Sequence, residues 1–257
     1  MINHRFLNIF DRLALPLLVT GGVLVTVAFV LAFTVAPLVS GDAVAEGFLE
    51  IDGRYVTNKL LLSQKIFYFH MPVAVVSMAA LLFTAVYSIL FLRTREGRYD
   101  LRARLATEIS LVFVLMTMVS GELWERYEWG VWWTWEPRLT TYFILLLLVL
   151  GYFIVRSAVS DPERQAVYSS VLGIIVFIDV PICFMVTRLI PSGLHPVILR
   201  TDSGLPPPML IPLLMALVGF ACLAFALYRQ RLRAEQLRER VEALKNQLDE
   251  ATDSRRD

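Results

Sequence analysis

The chain has 257 residues and a net charge of +1, and 57% of its residues are hydrophobic while only 18% are charged. Its mean hydropathy of +0.62 is too high for a soluble domain of this length and indicates an integral membrane protein. The near-neutral charge gives no indication of a nucleic-acid partner.

Six apolar segments are long enough to cross a bilayer, which takes about 20 helical residues. They lie near Leu13–Val39, Gln64–Leu92, Leu105–Gly121, Leu139–Val155, Gln165–Thr187 and Pro208–Tyr228. In hydrocarbon each segment must be a helix, because only a helix satisfies its own backbone donors and acceptors. The first has no small-residue cleavage pattern and is predicted to be a retained helix rather than a signal peptide. The sequence therefore predicts an all-α membrane domain over residues 1–228.

Basic residues set the expected orientation, since short cytoplasmic loops are enriched in lysine and arginine. The leader, the loop Arg93–Arg104 and the start of the tail are rich in arginine, and all three lie on one side if six helices alternate. The opposite side includes Ser40–Ser63, which has more acids than bases. We predict both termini in the cytoplasm.

The tail, residues 229–257, has a different character. Apolar residues recur there at alternating spacings of three and four: Ala234, Leu237, Val241, Leu244, Leu248 and Ala251. This heptad pattern predicts a cytoplasmic helix that extends the sixth span. It is either a solvated helix or a short coiled coil that docks a partner subunit.

All five tryptophans lie in the stretch Trp124–Thr140, WERYEWGVWWTWEPRLT, within a predicted outer loop over residues 122–138. One interpretation is an aromatic belt at the membrane boundary, where tryptophan is favoured. The other is a ligand platform. If the stretch is helical, Trp129, Trp132 and Trp133 share one face, and such a face suits a flat, apolar ligand.

Two of the three histidines, His70 and His195, are predicted on the same side of the membrane as the tryptophans, whereas His4 is in the leader. Imidazole suits iron, copper or zinc. The two cysteines, Cys183 and Cys222, form no CxxC motif. Either the histidines are structural, or they bind a planar macrocycle with one axial imidazole on each face.

These residues carry a resemblance. The run WGVWWTWEPRLT is similar to the signature WGxWWxWDxRLT of the haem-handling membrane proteins of cytochrome c biogenesis, and KIFYFHMP resembles their histidine motif. Six helices with the signature between the third and fourth resemble the cytochrome c maturation protein C family. Two departures are that Glu136 stands where the motif has Asp, and that no paired tryptophan precedes His195.

The resemblance implies that the chain handles haem b, bound transiently and without a covalent bond. The residues that it assigns to the haem site are His70 and His195 as axial iron ligands, Trp129, Trp132, Trp133 and Trp135 as the platform, and Glu136 and Arg138 as orienting groups. It also implies a bacterial inner-membrane location with the site facing the periplasm. The implied partners are an ABC-type ATPase, a permease subunit, a small single-helix membrane subunit and a periplasmic haem chaperone.

The sequence contains no GxxxxGK phosphate loop and no CxxCH motif. We therefore expect a transfer subunit rather than an enzyme, with ATP hydrolysis left to a partner. The competing interpretation is a membrane scaffold or permease subunit without haem, in which the tryptophans contact lipid or protein.

Overall fold

The computed structural model of the chain describes residues 4–36, 50–51, 54–55, 59–190, 205 and 207–253. Its six helices are α1 His4–Thr34, α2 Lys59–Thr94, α3 Gly97–Glu128, α4 Pro137–Ala158, α5 Pro162–Leu189 and α6 Pro207–Asp253. Two two-residue strands, β1 Glu50–Ile51 and β2 Arg54–Tyr55, pair antiparallel between α1 and α2. Every helix includes a stretch long and apolar enough to cross a membrane, which confirms the prediction of an all-α protein with six membrane helices.

The arginine-rich segment Arg93–Arg104 is mostly helix, not the loop that we expected. Only Arg95 and Glu96 separate α2 from α3. Arg95 has a left-handed backbone (φ 59°), and the backbone N–H of Glu96 donates to Thr94 Oγ1 at 3.3 Å, so the chain reverses in two residues. The physical reason is that a helix does not have to end at the edge of the hydrocarbon layer. Helix α3 already includes the charged turns that precede its apolar part.

Helices α1 and α6 pack through glycines. A Cβ added at Gly21 would lie 2.8 Å from the carbonyl oxygen of Gly219, and one added at Gly219 would lie 3.0 Å from the backbone nitrogen of Val25. Small residues allow two membrane helices to approach backbone to backbone. This pair of positions therefore fixes α1 against α6.

Helix α2 is at the centre of the bundle, with a core on each side. One core joins α2 and α3 to α4 and α5 and includes Leu81, Val114 and Leu145. The other joins α2 and α3 to α1 and α6 and includes Val73 and Phe220.

Hydroxyl pairs link α2 to its neighbours. Ser77 Oγ lies 2.9 Å from Tyr142 Oη, and Thr84 Oγ1 lies 3.1 Å from Thr107 Oγ1. Buried polar groups in a membrane helix need such partners, so these bonds fix the register of α2 against α3 and α4.

The two ends of the bundle differ. At the arginine-rich end, where α2 ends and α3 begins, Arg156 of α4 binds both carboxylate oxygens of Asp100 of α3, at 2.6 and 2.9 Å. At the aromatic end, α3 ends and α4 begins on either side of the tryptophan-rich stretch. Helix α6 continues without a break past the arginine-rich end to Asp253.

Candidate functional site

The tryptophan-rich stretch bridges α3 and α4, and residues 129–136 are not helical. The expected single helical face of Trp129, Trp132 and Trp133 is therefore not formed. The reason is local: Gly130 adopts a positive φ of 74°, which ends the helix, and the extended backbone of Glu136 precedes Pro137, the first residue of α4.

The tryptophan rings meet edge to face. The ring centroids of Trp124 and Trp129 are 5.1 Å apart with planes at 76°, and those of Trp133 and Trp135 are 5.5 Å apart at 82°. Phe143 of α4 packs against both Trp133 and Trp135, at 5.7 and 6.3 Å. Edge-to-face packing is the favoured geometry of an aromatic cluster. The rings thus form a folded cluster rather than a continuous flat plate.

Two tryptophans of the cluster remain open to the surroundings. Trp132 is 56% exposed and Trp135 is 72% exposed, whereas Trp129 and Trp133 are half-buried. The guanidinium carbon of Arg126 lies 5.6 Å from the centroid of the Trp132 ring, and Arg126 Nη1 donates to the carbonyl oxygen of Gly130. Arg126 thereby holds the turn and one face of Trp132 together.

Two buried glutamate side chains accept backbone hydrogen bonds, one from the loop and one from the first turn of α4. Glu136 is the N-cap of α4, where its Oε1 accepts from the backbone N–H of Leu139 at 3.2 Å. Glu125, only 1% exposed, accepts at Oε2 from the backbone N–H of Thr134, also at 3.2 Å. Arg138 lies half-buried in the first turn of α4. Sequence reasoning singled out Glu136 and Arg138 but not Glu125, because α3 ends in several charged residues and no local pattern distinguishes Glu125 from them.

Three buried polar atoms of this loop have no hydrogen-bond partner within the described ranges of the chain. They are Glu125 Oε1, Trp133 Nε1 and Thr134 Oγ1. Buried donors and acceptors are almost always satisfied in folded proteins, because leaving one unpaired is costly. All three lie in or next to the aromatic loop, where water or a bound molecule would satisfy them.

His70 of α2 is held against α3. Its Nδ1 lies 3.0 Å from Ser120 Oγ, and that hydroxyl donates to the carbonyl oxygen of Met116 at 2.8 Å. When this hydroxyl accepts from Nδ1–H, the neutral ring has its lone pair on Nε2. A Cβ at Gly121 would be 3.2 Å from His70 Cε1, so a larger residue there would push the ring by a few tenths of an ångström. Ser120 and Gly121 were missed by sequence reasoning because their role depends on helix pairing.

The second predicted ligand, His195, lies outside the described residues, so its position relative to His70 stays a prediction. Within the described residues, no group of three or more His, Cys, Asp or Glu side chains is arranged to hold a metal ion. Cys183 and Cys222 are free thiols.

An apolar cavity of about 780 Å³ lies between α1, α2 and α3. Phe29, Phe33 and Phe69 line it together with aliphatic residues, and none of the tryptophans does. Its polar wall consists of Ser120, which binds His70, and Lys65, whose Nζ donates to the carbonyl oxygens of Ala32 and Ala36 at 2.7 and 2.9 Å. The cavity therefore extends apolar surface up to the hydroxyl that orients the histidine.

Six apolar helices define a multi-pass membrane protein, and a folded aromatic loop lies at one end of its bundle. Comparison with known families gives the same class. The model of the family Heme exporter protein C matches residues 57–247, and the chain belongs to this family.

Three relatives illustrate the match. Heme exporter protein C of Bradyrhizobium diazoefficiens is 35% identical over 184 residues, which cover 70% of this chain and 69% of the relative. The protein of that name from Paracoccus denitrificans is 30% identical over 183 residues (70% and 76%), and the one from Escherichia coli K12 is 29% identical over 171 residues (66% and 69%). The resemblance inferred from the sequence is confirmed. The family is named for export, not for an enzymatic reaction.

Proposed function

We propose that this chain is the haem-handling subunit of an ABC-type cytochrome c maturation complex. In this proposal it holds haem b at the periplasmic face of the inner membrane and passes it to a periplasmic haem chaperone. The observation that carries the proposal is His70, oriented by Ser120 beside the aromatic loop of a chain whose relatives are named Heme exporter protein C.

His70 is proposed as an axial ligand of the haem iron through Nε2. Histidines that bind metal commonly use the other ring nitrogen for an orienting hydrogen bond, and the bond from Nδ1 to Ser120 is of this kind. His195 is proposed as the second axial ligand on the motif resemblance.

The tryptophans have two different roles in this proposal. Trp132 and Trp135, the two most exposed, contact the porphyrin, while Trp129 and Trp133 support them from the cluster. Glu136 and Arg138, at the start of α4, are proposed to orient the loop, and Arg126 and Arg138 are proposed as the cations that meet the haem propionates. The unpaired Trp133 Nε1 and Glu125 Oε1 are further polar groups for the cargo or its partner.

An open site is consistent with transfer. Haem must be captured and then released, so exposed rings and exchangeable axial ligands serve the function better than a closed pocket does. In the proposed complex an ATPase and a permease subunit supply the energy, and a small single-helix subunit completes the assembly. This chain then acts as a transfer subunit and not as an enzyme.

The test is the visible spectrum of detergent-purified protein from haem-replete cells. We expect a Soret band that survives washing, and we expect His70→Ala to shift it because an imidazole leaves the iron. Free imidazole should partly restore the bands. His4→Ala, at the other end of the chain, is the matched control and should leave the spectrum unchanged.

His195→Ala is measured separately. If it matches the wild-type spectrum while His70→Ala does not, the two-histidine site is wrong and another group completes the coordination. Protein that is colourless under all conditions would support the alternative, a scaffold or permease subunit without haem.

The orientation is tested by labelling single cysteines introduced in a background without Cys183 and Cys222. Val131, 42% exposed in the loop, and Gly97, with open space around its Cα, are suitable positions. An impermeant thiol reagent added from the periplasm should label Val131→Cys and not Gly97→Cys. The reverse pattern would overturn the periplasmic placement of the site.

A further inference from the structure

The last part of α6 leaves the bundle as a single exposed helix. Leu232 is buried against the bundle, and from Leu237 to Glu250 every residue is exposed. The rotation of the helix is fixed at its base by ion pairs with α3: Arg231 binds Glu108 at 2.9 Å, and Glu235 binds Arg104 at 3.3 Å. Residues 237–253 extend for about 25 Å at 1.5 Å per residue.

This exposed helix carries an apolar stripe. Leu237, Val241 and Leu244 are 48%, 50% and 59% exposed. With a rotation of about 100° per residue, Val241 is turned by about 180° from the buried Leu232. The stripe therefore faces away from the protein's own bundle. A row of exposed aliphatic side chains at alternating spacings of four and three is the contact surface of a coiled coil.

The charges beside the stripe have one sign. In the heptad with Val241 at position a, the charged residues at positions e and g of residues 233–248 are Arg233, Arg238, Arg240 and Lys245. The acids Glu239, Glu242, Asp249 and Glu250 occupy the other positions. The charged residues that border the stripe are therefore all basic.

A second copy of this helix is a poor partner. In a parallel pair Arg240 of one copy would face Lys245 of the other, and in an antiparallel pair arginine would face arginine. Charges at positions e and g decide which helices pair, and like charges there oppose association. The border instead fits a helix with acids at the same positions.

We propose that the exposed stripe of α6, residues 234–248, binds an amphipathic helix of another protein that has an apolar seam bordered by glutamate or aspartate. The two helices form a short heterodimeric coiled coil. The ion pairs between α6 and α3 set the direction in which the partner docks, because they fix the rotation of α6 at its base.

The test uses the full-length protein in detergent and two labelled synthetic helices of about 21 residues. Both have leucine at positions a and d; one has glutamate and the other lysine at e and g. Fluorescence anisotropy is followed up to about 1 mM peptide. We expect the acidic peptide to bind at least about tenfold more tightly than the basic one, with affinity that falls as salt increases.

Variants of the tail separate the effect of the charges that border the stripe from the effect of the net charge. Lys245→Glu should weaken binding of the acidic peptide about fivefold, since one attractive charge pair becomes repulsive. Gln236→Glu/Asn246→Glu changes the net charge by the same two units away from the border and should leave binding unchanged. Leu244→Asp should abolish binding.

Four results would overturn the proposal. Two of them concern the peptides: equal binding of both, or no binding of either. The third is self-association of the protein that Leu244→Asp removes. The fourth is binding of phosphatidylglycerol vesicles, but not of the acidic peptide, to the tail. Haem is not involved in any of these measurements, so they do not depend on the proposed function.

Discussion

Each end of the helix bundle has an acidic side chain with little exposure, and the two acids are paired in different ways. At the arginine-rich end, Asp100 is bound by Arg156 through two hydrogen bonds. At the aromatic end, Glu125 is even less exposed but uses only one oxygen, which accepts from the backbone of Thr134. Its second oxygen has no partner in the described part of the chain.

The difference separates a structural end, where the acid is paired within the chain, from the aromatic end, where we propose that haem binds. A bidentate arginine–carboxylate pair satisfies both groups and needs nothing from outside. Unsatisfied buried atoms beside exposed aromatic rings reduce stability unless something binds there. The comparison teaches that the Asp100–Arg156 pair is complete within this chain, whereas Glu125 lies near the aromatic loop with one oxygen that has no partner among the described residues.

The largest expected effect is at the structural end. Arg156→Ala leaves the carboxylate of Asp100 largely buried without its cation, and we expect a loss of about 3 kcal/mol in stability. The measurement is unfolding of the detergent-purified protein. Arg238→Ala, which removes an arginine from an exposed ion pair with Glu242, is the matched control. A similar loss in both variants would contradict the distinction.

The next effect is at the aromatic end. Glu125→Ala removes the acceptor of the Thr134 backbone N–H, and we expect a loss of about 2 kcal/mol, because a buried donor is left unpaired. Glu125→Gln keeps an acceptor oxygen and should lose less than half as much in the same unfolding assay. If Glu125→Ala is as stable as the wild type, this carboxylate does not hold the loop.

A smaller effect tests the cap of α4. Glu136→Ala removes the side chain that accepts from Leu139 N–H and should cost about 1 kcal/mol. Glu136→Asp should be at least as stable as the wild type, since aspartate is the preferred capping acid. Both are measured by thermal unfolding. Destabilisation by Glu136→Asp would show that the longer side chain has a role besides capping.

The smallest effect is expected beyond the bundle. A stop after Gln236 retains the ion pairs of Arg231 and Glu235 with α3, and the residues that it removes from Leu237 to Glu250 are all exposed. We expect no measurable change in unfolding and no change in the haem spectrum. A stop after Tyr228 also removes these ion pairs and the buried Leu232 and should be less stable. Equal stability of the two truncations would show that neither the ion pairs nor Leu232 stabilises the bundle.

The sequence by itself determined the six membrane helices, because a long apolar segment in hydrocarbon must satisfy its own backbone hydrogen bonds. It also determined the family, since the run from Trp129 to Thr140 and the segment around His70 are local patterns. Glu136 was found in this way, although its capping role follows from the helix start at Pro137.

Only the tertiary structure decided how the site is assembled. Three of the tryptophans would share one face if their run were helical, but Gly130 and Pro137 interrupt the helix, and the rings pack edge to face with Phe143. The bond of His70 to Ser120 joins residues 50 positions apart, and the role of Glu125 depends on a loop that folds back over it. No local sequence pattern predicts such contacts, because they form only when separate helices, each stable in the membrane, pack against one another.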